Sequence, residues 1–65
     1  MIAEIWDDHV VLYQKNRHEH IAWVYGKVTN IFVNSHKEWI IEISDQNTGS
    51  FVGYIYATAI LRRHL

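Results

Sequence analysis

Between Ile21 and Val33 β-branched and aromatic residues dominate the chain, with one glycine, Gly26, in the interior. Alternation with a period of two, in residues of this type, favours a strand over a helix. A glycine inside a strand marks a bulge or a tight bend, so this long strand is expected to turn sharply rather than run on flat. That single residue argues for a sheet that curls towards closure.

The rest of the chain supports an all-β reading. His9-Val10-Val11-Leu12-Tyr13-Gln14-Lys15 reads as a strand, and the polar run Asn16-Arg17-His18-Glu19 reads as the turn that ends it. Asn34-Ser35-His36-Lys37 has the composition of a hairpin turn. From Glu38 to Ser44 the alternation is clean, with Trp39, Ile41 and Ile43 on one face and Glu38 and Glu42 directed outwards. Asp45-Gln46-Asn47-Thr48-Gly49-Ser50 is the strongest turn signal, because Asn and Gly tolerate the left-handed backbone of a tight reversal. The next strand spans Phe51 to Tyr56, with Phe51 and Ile55 expected inwards and Tyr54 and Tyr56 on the opposite face. Ala57-Thr58-Ala59-Ile60-Leu61 suits a single helical turn or a last short strand. At the N-terminus, Ile2, Ile5 and Trp6 stand at helical spacing in a segment also short enough for an edge strand, so a short helical turn and a strand both remain open.

A chain of 65 residues makes one domain, residues 1–65, and must build a dense core, since so small a domain buries only about 60% of its unfolded surface. Three Trp, four Tyr and two Phe supply that density. No cysteine is present to form a disulfide or a thiolate metal site, so stability must come from the core or from self-association, and a homo-oligomer is expected. Strands this short and numerous leave exposed edges if flat, and closing them into a small barrel removes the edges. Six Lys and Arg against seven Asp and Glu create no general positive field for nucleic acid. No apolar run approaches the ~20 residues that span a bilayer. The expectation is a cytoplasmic protein with no membrane contact.

Taken in order, Leu12-Tyr13, Gly26-Lys27-Val28, Trp39 and Gly53-Tyr54-Ile55 followed by Ala57-Thr58-Ala59-Ile60 resemble the SH3-like barrels, particularly the bacterial SH3 type. The likeness covers roughly residues 9–62 and implies a five-stranded barrel with a terminal 3₁₀ turn. Peptide-binding members carry a proline after Gly-Tyr-Ile and a tyrosine three positions later, where this chain has Tyr56 and Ala59. Tyr25-Gly26-Lys27-Val28, the hairpin strand, and Tyr56 followed by Ala59-Ile60 are also similar to the Sm-like barrels, which implies a ring with RNA at its surface. The chain lacks the Lys-His pair near the end of the fourth strand that such rings use for uridine-rich RNA.

Residue chemistry points away from catalysis. Asp7-Asp8 are adjacent rather than facing, Ser35-His36 are neighbours in a turn, and no phosphate-cradling glycine loop occurs. Among five histidines, His18-x-His20 places two on one face of a strand, but His9, His36 and His64 are scattered and no third ligand is evident, so surface histidines and no metal are expected. No cofactor is expected either. Arg62-Arg63 is the one basic pair, read as a solvated chain end or as a partner for Asp7-Asp8. The aromatics are more informative: Ile21, Trp23 and Tyr25 share one face of their strand while Ala22 and Val24 share the other. The large-ring side is either core or a binding surface. The expectation is a non-enzymatic protein-protein interaction module, an accessory or inhibitor protein of the kind phages and mobile elements encode. Its partner would dock on a surface drawn from Tyr13, Trp23, Tyr25, Trp39, Tyr54 and Tyr56. The alternative is an Sm-like oligomeric RNA-binding protein.

Overall fold

The computed structural model describes residues 1–14 and 20–64. The turn expected at 16–19 and the residue His18 of the paired histidines lie outside the described residues. Seven strands follow one another: β1 (Ile2–Trp6), β2 (His9–Tyr13), β3 (His20–Tyr25), β4 (Lys27–Val33), β5 (Trp39–Ser44), β6 (Phe51–Ala57) and β7 (Ala59–His64). They form a four-stranded sheet, β3-β2-β1-β7, and a three-stranded sheet, β4-β5-β6. All neighbours run antiparallel except β1 and β7, which are parallel.

The two sheets are joined at two sharp corners. At the first, Gly26 separates β3 from β4 with φ of 153°, a backbone conformation that side-chain-bearing residues rarely adopt. Its N–H donates to Asp8 O at 3.0 Å and Val28 N–H donates to Asp7 O at 3.2 Å, which ties the bend to the β1–β2 turn. At the second, Thr58 separates β6 from β7. Its N–H and its hydroxyl both donate to Met1 O, at 2.8 and 2.7 Å.

Between the sheets lies one core. Ala3 and Ile5 of β1, Val10 and Leu12 of β2, Ile41 and Ile43 of β5, and Ala57 are buried there, with Ala22, Val24, Val28, Ile31, Trp39, Ile55 and Ile60 packed around them. The alternation expected for β5 is realised, and of the two faces left open for β3 the side of Ala22 and Val24 is the inner one. Both expected hairpin turns are also present. Asn34 organises the first, its Oδ1 accepting from His36 N–H at 2.9 Å and Glu38 N–H at 3.0 Å. Asp45 organises the second: its Oδ1 accepts from Asn47 and Thr48 N–H, each at 2.9 Å, and these bonds hold the carboxyl below its ordinary pKa, that from Thr48 contributing most. Gly49 supplies the left-handed residue, with φ of 77°.

Two expectations are corrected, and two left open are decided, the C-terminal one against the 3₁₀ turn that the resemblance implied. The architecture is two sheets with seven strands, not a five-stranded closed barrel, because the corners at Gly26 and Thr58 interrupt the ladders. The N-terminal segment is a strand, not a helical turn: Ala3 and Ile5 point into the core while hydrogen-bonding partners occupy both edges of β1, and that pairing overrides the spacing of Ile2, Ile5 and Trp6. The C-terminal segment is likewise a strand, not a 3₁₀ turn, because β1 offers it an open edge. Phe51 faces outwards, because the β5–β6 register shifts between Ile43 and Ser44 and reverses its side.

Candidate interaction surface

Alternation along β1 sends Ile2, Glu4 and Trp6 to the outer face of the four-stranded sheet, opposite the side occupied by Ala3 and Ile5. By the same rule β2 contributes His9, Val11 and Tyr13, and β3 contributes Ile21, Trp23 and Tyr25. On β7, Arg62 pairs in register with Glu4 and His64 with Trp6.

Four rings on this face stack across the strands. His64 lies on Trp6 with centroids 3.5 Å apart and planes inclined by 10°. Trp6 stacks with His9 at 5.3 Å and 13°, and His9 with Trp23 at 5.1 Å and 3°. Tyr25 closes the row, tilted against both His9 (6.0 Å) and Trp23 (6.2 Å). The spatial order β7-β1-β2-β3 is the order of the rings. Neighbouring strands stand about 4.8 Å apart, so upright rings in register, as Trp6 and His64 are, meet near stacking distance, while Trp23, opposite Val11, reaches His9 diagonally.

Carboxylates anchor both histidines. Asp8 Oδ1 lies 2.7 Å from His9 Nδ1, and Glu4 Oε2 lies 2.8 Å from His64 Nε2. Glu4 is only 7% exposed, and its other oxygen accepts the Tyr13 hydroxyl at 2.8 Å. A buried carboxylate is tolerable when its oxygens are occupied in this way. The row is therefore held from below at His64 and along its middle at His9. Its open end is apolar and accessible: Ile21 is exposed, Trp23 is 51% exposed and Tyr25 is 74% exposed.

The six residues expected to form one surface divide into three groups. Trp23 and Tyr25 form the open part of the ring row, and Tyr13 lies on the same face at the far end of β2, half-buried, with its hydroxyl given to Glu4. Tyr54 and Tyr56 lie on the outer face of the other sheet, where Tyr56 is in register with Ile40 and Phe32, and Tyr54 with Glu42 and Asn30. Trp39 points between the sheets, and the Arg63 guanidinium lies 5.5 Å from its ring centroid. Arg62 and Arg63 are both exposed, as expected of a solvated end, with Arg63 lying over the Trp39 ring, and Asp8 pairs with His9 rather than with the arginines.

Trp6, His9, His64 and Glu4 were not among the expected site residues. Trp6 and His9 flank the Asp7-Asp8 turn, a local arrangement from which their adjacency is readable. His64 joins the row only through the parallel pairing of β7 with β1, which nothing local announces. Among the described residues no group of three or more His, Asp or Glu is gathered to hold a metal ion, and no helix is long and apolar enough to cross a membrane. No protein-family model, curated protein or solved structure matches this chain.

Proposed function

We propose that the chain is a non-enzymatic protein-binding module, an accessory or inhibitor protein of the cytoplasm, and that its partner docks on the open end of the ring row at Ile21, Trp23 and Tyr25. One observation carries this reading: two large aromatic side chains stand half to three-quarters exposed on a paired strand, each already against neighbouring rings. Aromatic anchors of this kind dominate binding energies, and preorganisation lowers the entropy lost on docking. Kinship with the SH3-like barrels belongs to the same proposal, supported by the bend at Gly26 and the hairpin at Asn34.

The test begins by cross-linking the wild-type protein to its partner, identifying that partner, and measuring binding between the two purified proteins. Trp23→Ala or Tyr25→Ala should weaken binding about 30-fold, the effect of losing an anchor worth ~2 kcal/mol, while circular dichroism shows an unchanged fold. Equal binding by the variants, or their unfolding, would defeat the proposal.

The flat stack itself favours a second reading, in which exposed rings receive RNA bases as in the Sm-like alternative. That reading requires titration with single-stranded homopolymers to show binding that falls steeply with salt and depends on Trp23.

A further inference from the structure

The other exposed aromatic surface lies on β6. This strand is an edge of its sheet, which has the order β4-β5-β6. In an antiparallel ladder alternate residues direct N–H and C=O to opposite sides, so β6 presents backbone donors and acceptors along its outer side. Edges left in this state invite another strand, and proteins protect them with charged residues, bulges or cover. Two of the other edges carry such protection. Lys27 and a register shift before Asn30 interrupt β4, and β7 carries Arg62, Arg63 and His64. From Phe51 to Ala57, by contrast, β6 holds no Asp, Glu, Lys, Arg or His and no proline. Its register shift lies at the very start of the strand, beside Phe51.

We propose that β6 is a homodimer interface, in which β6 of a second copy adds antiparallel to it about a two-fold axis at Tyr54. Continuous six-stranded pairing, β4-β5-β6 followed by its symmetry mate, results. In that register Tyr54 faces Tyr54 of the second copy, Val52 faces Tyr56, and Gly53 faces Ile55. Tyr–Tyr and Val–Tyr neighbours are favourable cross-strand pairs. An uncharged strand is also self-complementary, because a two-fold axis places no like charges opposite one another on it. The nearest charge on the same face is Glu42, in register with Tyr54. Its counterpart would stand three strand spacings away, about 14 Å, beyond the screening length of physiological salt.

Phe51, Val52, Tyr54 and Tyr56 are each about half exposed or more. With aromatic side chains of roughly 150–250 Å², they offer at most on the order of 400 Å² per copy, a size that suits a weak, reversible dimer held largely by the backbone ladder.

Sedimentation equilibrium across concentrations bracketing about 10 μM should show a monomer–dimer equilibrium and no larger species. Val52→Lys or Tyr54→Lys should abolish the dimer without loss of fold by circular dichroism, whereas Trp23→Ala should leave it intact. Tyr54→Cys gives a decisive geometric readout in a chain with no other thiol. Directly opposed residues of an antiparallel pair have Cα atoms about 4.5–5.5 Å apart, within disulfide reach, so mild oxidation should cross-link Tyr54→Cys rapidly. Val33→Cys, on the far edge strand β4, should not cross-link. Should the lysine variants unfold, the cysteine comparison decides alone. A monomer at every concentration, an open-ended polymer, a dimer that survives both lysine substitutions in folded protein, or equal cross-linking of the two cysteine variants would overturn the proposal.

Discussion

Replacing Gly26 by alanine tests the corner on which the two-sheet arrangement depends. A Cβ at this position would lie 2.6 Å from Ile43 Cγ2 and 3.0 Å from the Ser44 carbonyl oxygen. Neither neighbour has room to yield, since Ile43 is 2% exposed within the core and the Ser44 carbonyl belongs to the β5 backbone paired with Lys27. Overpacking a core costs about 1–3 kcal/mol, and holding alanine at φ of 153° adds about 1–3 kcal/mol of backbone strain. Their sum, about 2–6 kcal/mol, compares with a total stability of ~3–10 kcal/mol for a chain of this length. Gly26→Ala should therefore lose a large part of the total stability.

Urea denaturation followed by tryptophan fluorescence measures this directly. With a slope of about 1 kcal/mol per molar urea, the midpoint should fall by at least ~2 M. The other glycines serve as controls because they separate steric conflict from a general intolerance of substitution. At Gly49 a Cβ meets nothing within 4 Å but φ is 77°, so alanine should cost about 1 kcal/mol. At Gly53 a Cβ also meets nothing within 4 Å and there is no left-handed φ, so alanine should be neutral or stabilise by about 0.5 kcal/mol. A midpoint for Gly26→Ala within ~1 M of wild type, or equal losses at all three positions, would refute the reasoning.

Glu4→Ala should destabilise the fold by about 1–3 kcal/mol by leaving the Tyr13 hydroxyl and His64 Nε2 without their carboxylate, with Glu4→Gln milder; an unchanged melting temperature for Glu4→Ala would contradict the anchoring role. Ile41, which has no solvent exposure, should lose about 0.5–1.5 kcal/mol as Ile41→Val and about 2–5 kcal/mol as Ile41→Ala in the same urea assay. The Asp45 carboxyl is held below its ordinary value of 3.8 by the Thr48 and Asn47 amides, so its contribution is present above that value and is lost as pH falls through the lower folded-state value. The stability gap between wild type and Asp45→Ala should accordingly narrow on acidification below 3.8, and a gap constant with pH would be inconsistent with the hydrogen-bond account.

Local chemistry by itself determined much of the fold. Asn34 and Asp45 make turns because their side chains bond to backbone amides two to four residues ahead, and Gly49 is needed where φ is positive. The faces of β3 and β5 follow from alternation, since adjacent side chains on a strand leave on opposite sides. Gly26 announced a bend. Tertiary structure alone decided what these pieces meet. Ile2, Ile5 and Trp6 have a helix-like spacing that pairing on both edges of β1 overrides, and Phe51 is turned outwards by a register shift that no local pattern records. The ring row is the clearest case: Trp6 and His9 are neighbours across a two-residue turn, whereas His64 reaches Trp6 only through a parallel pairing between the two ends of the chain. Periodicity specifies which side of a strand a residue occupies, but which strand lies alongside depends on closing long loops around a shared core, and that information is spread over the whole sequence.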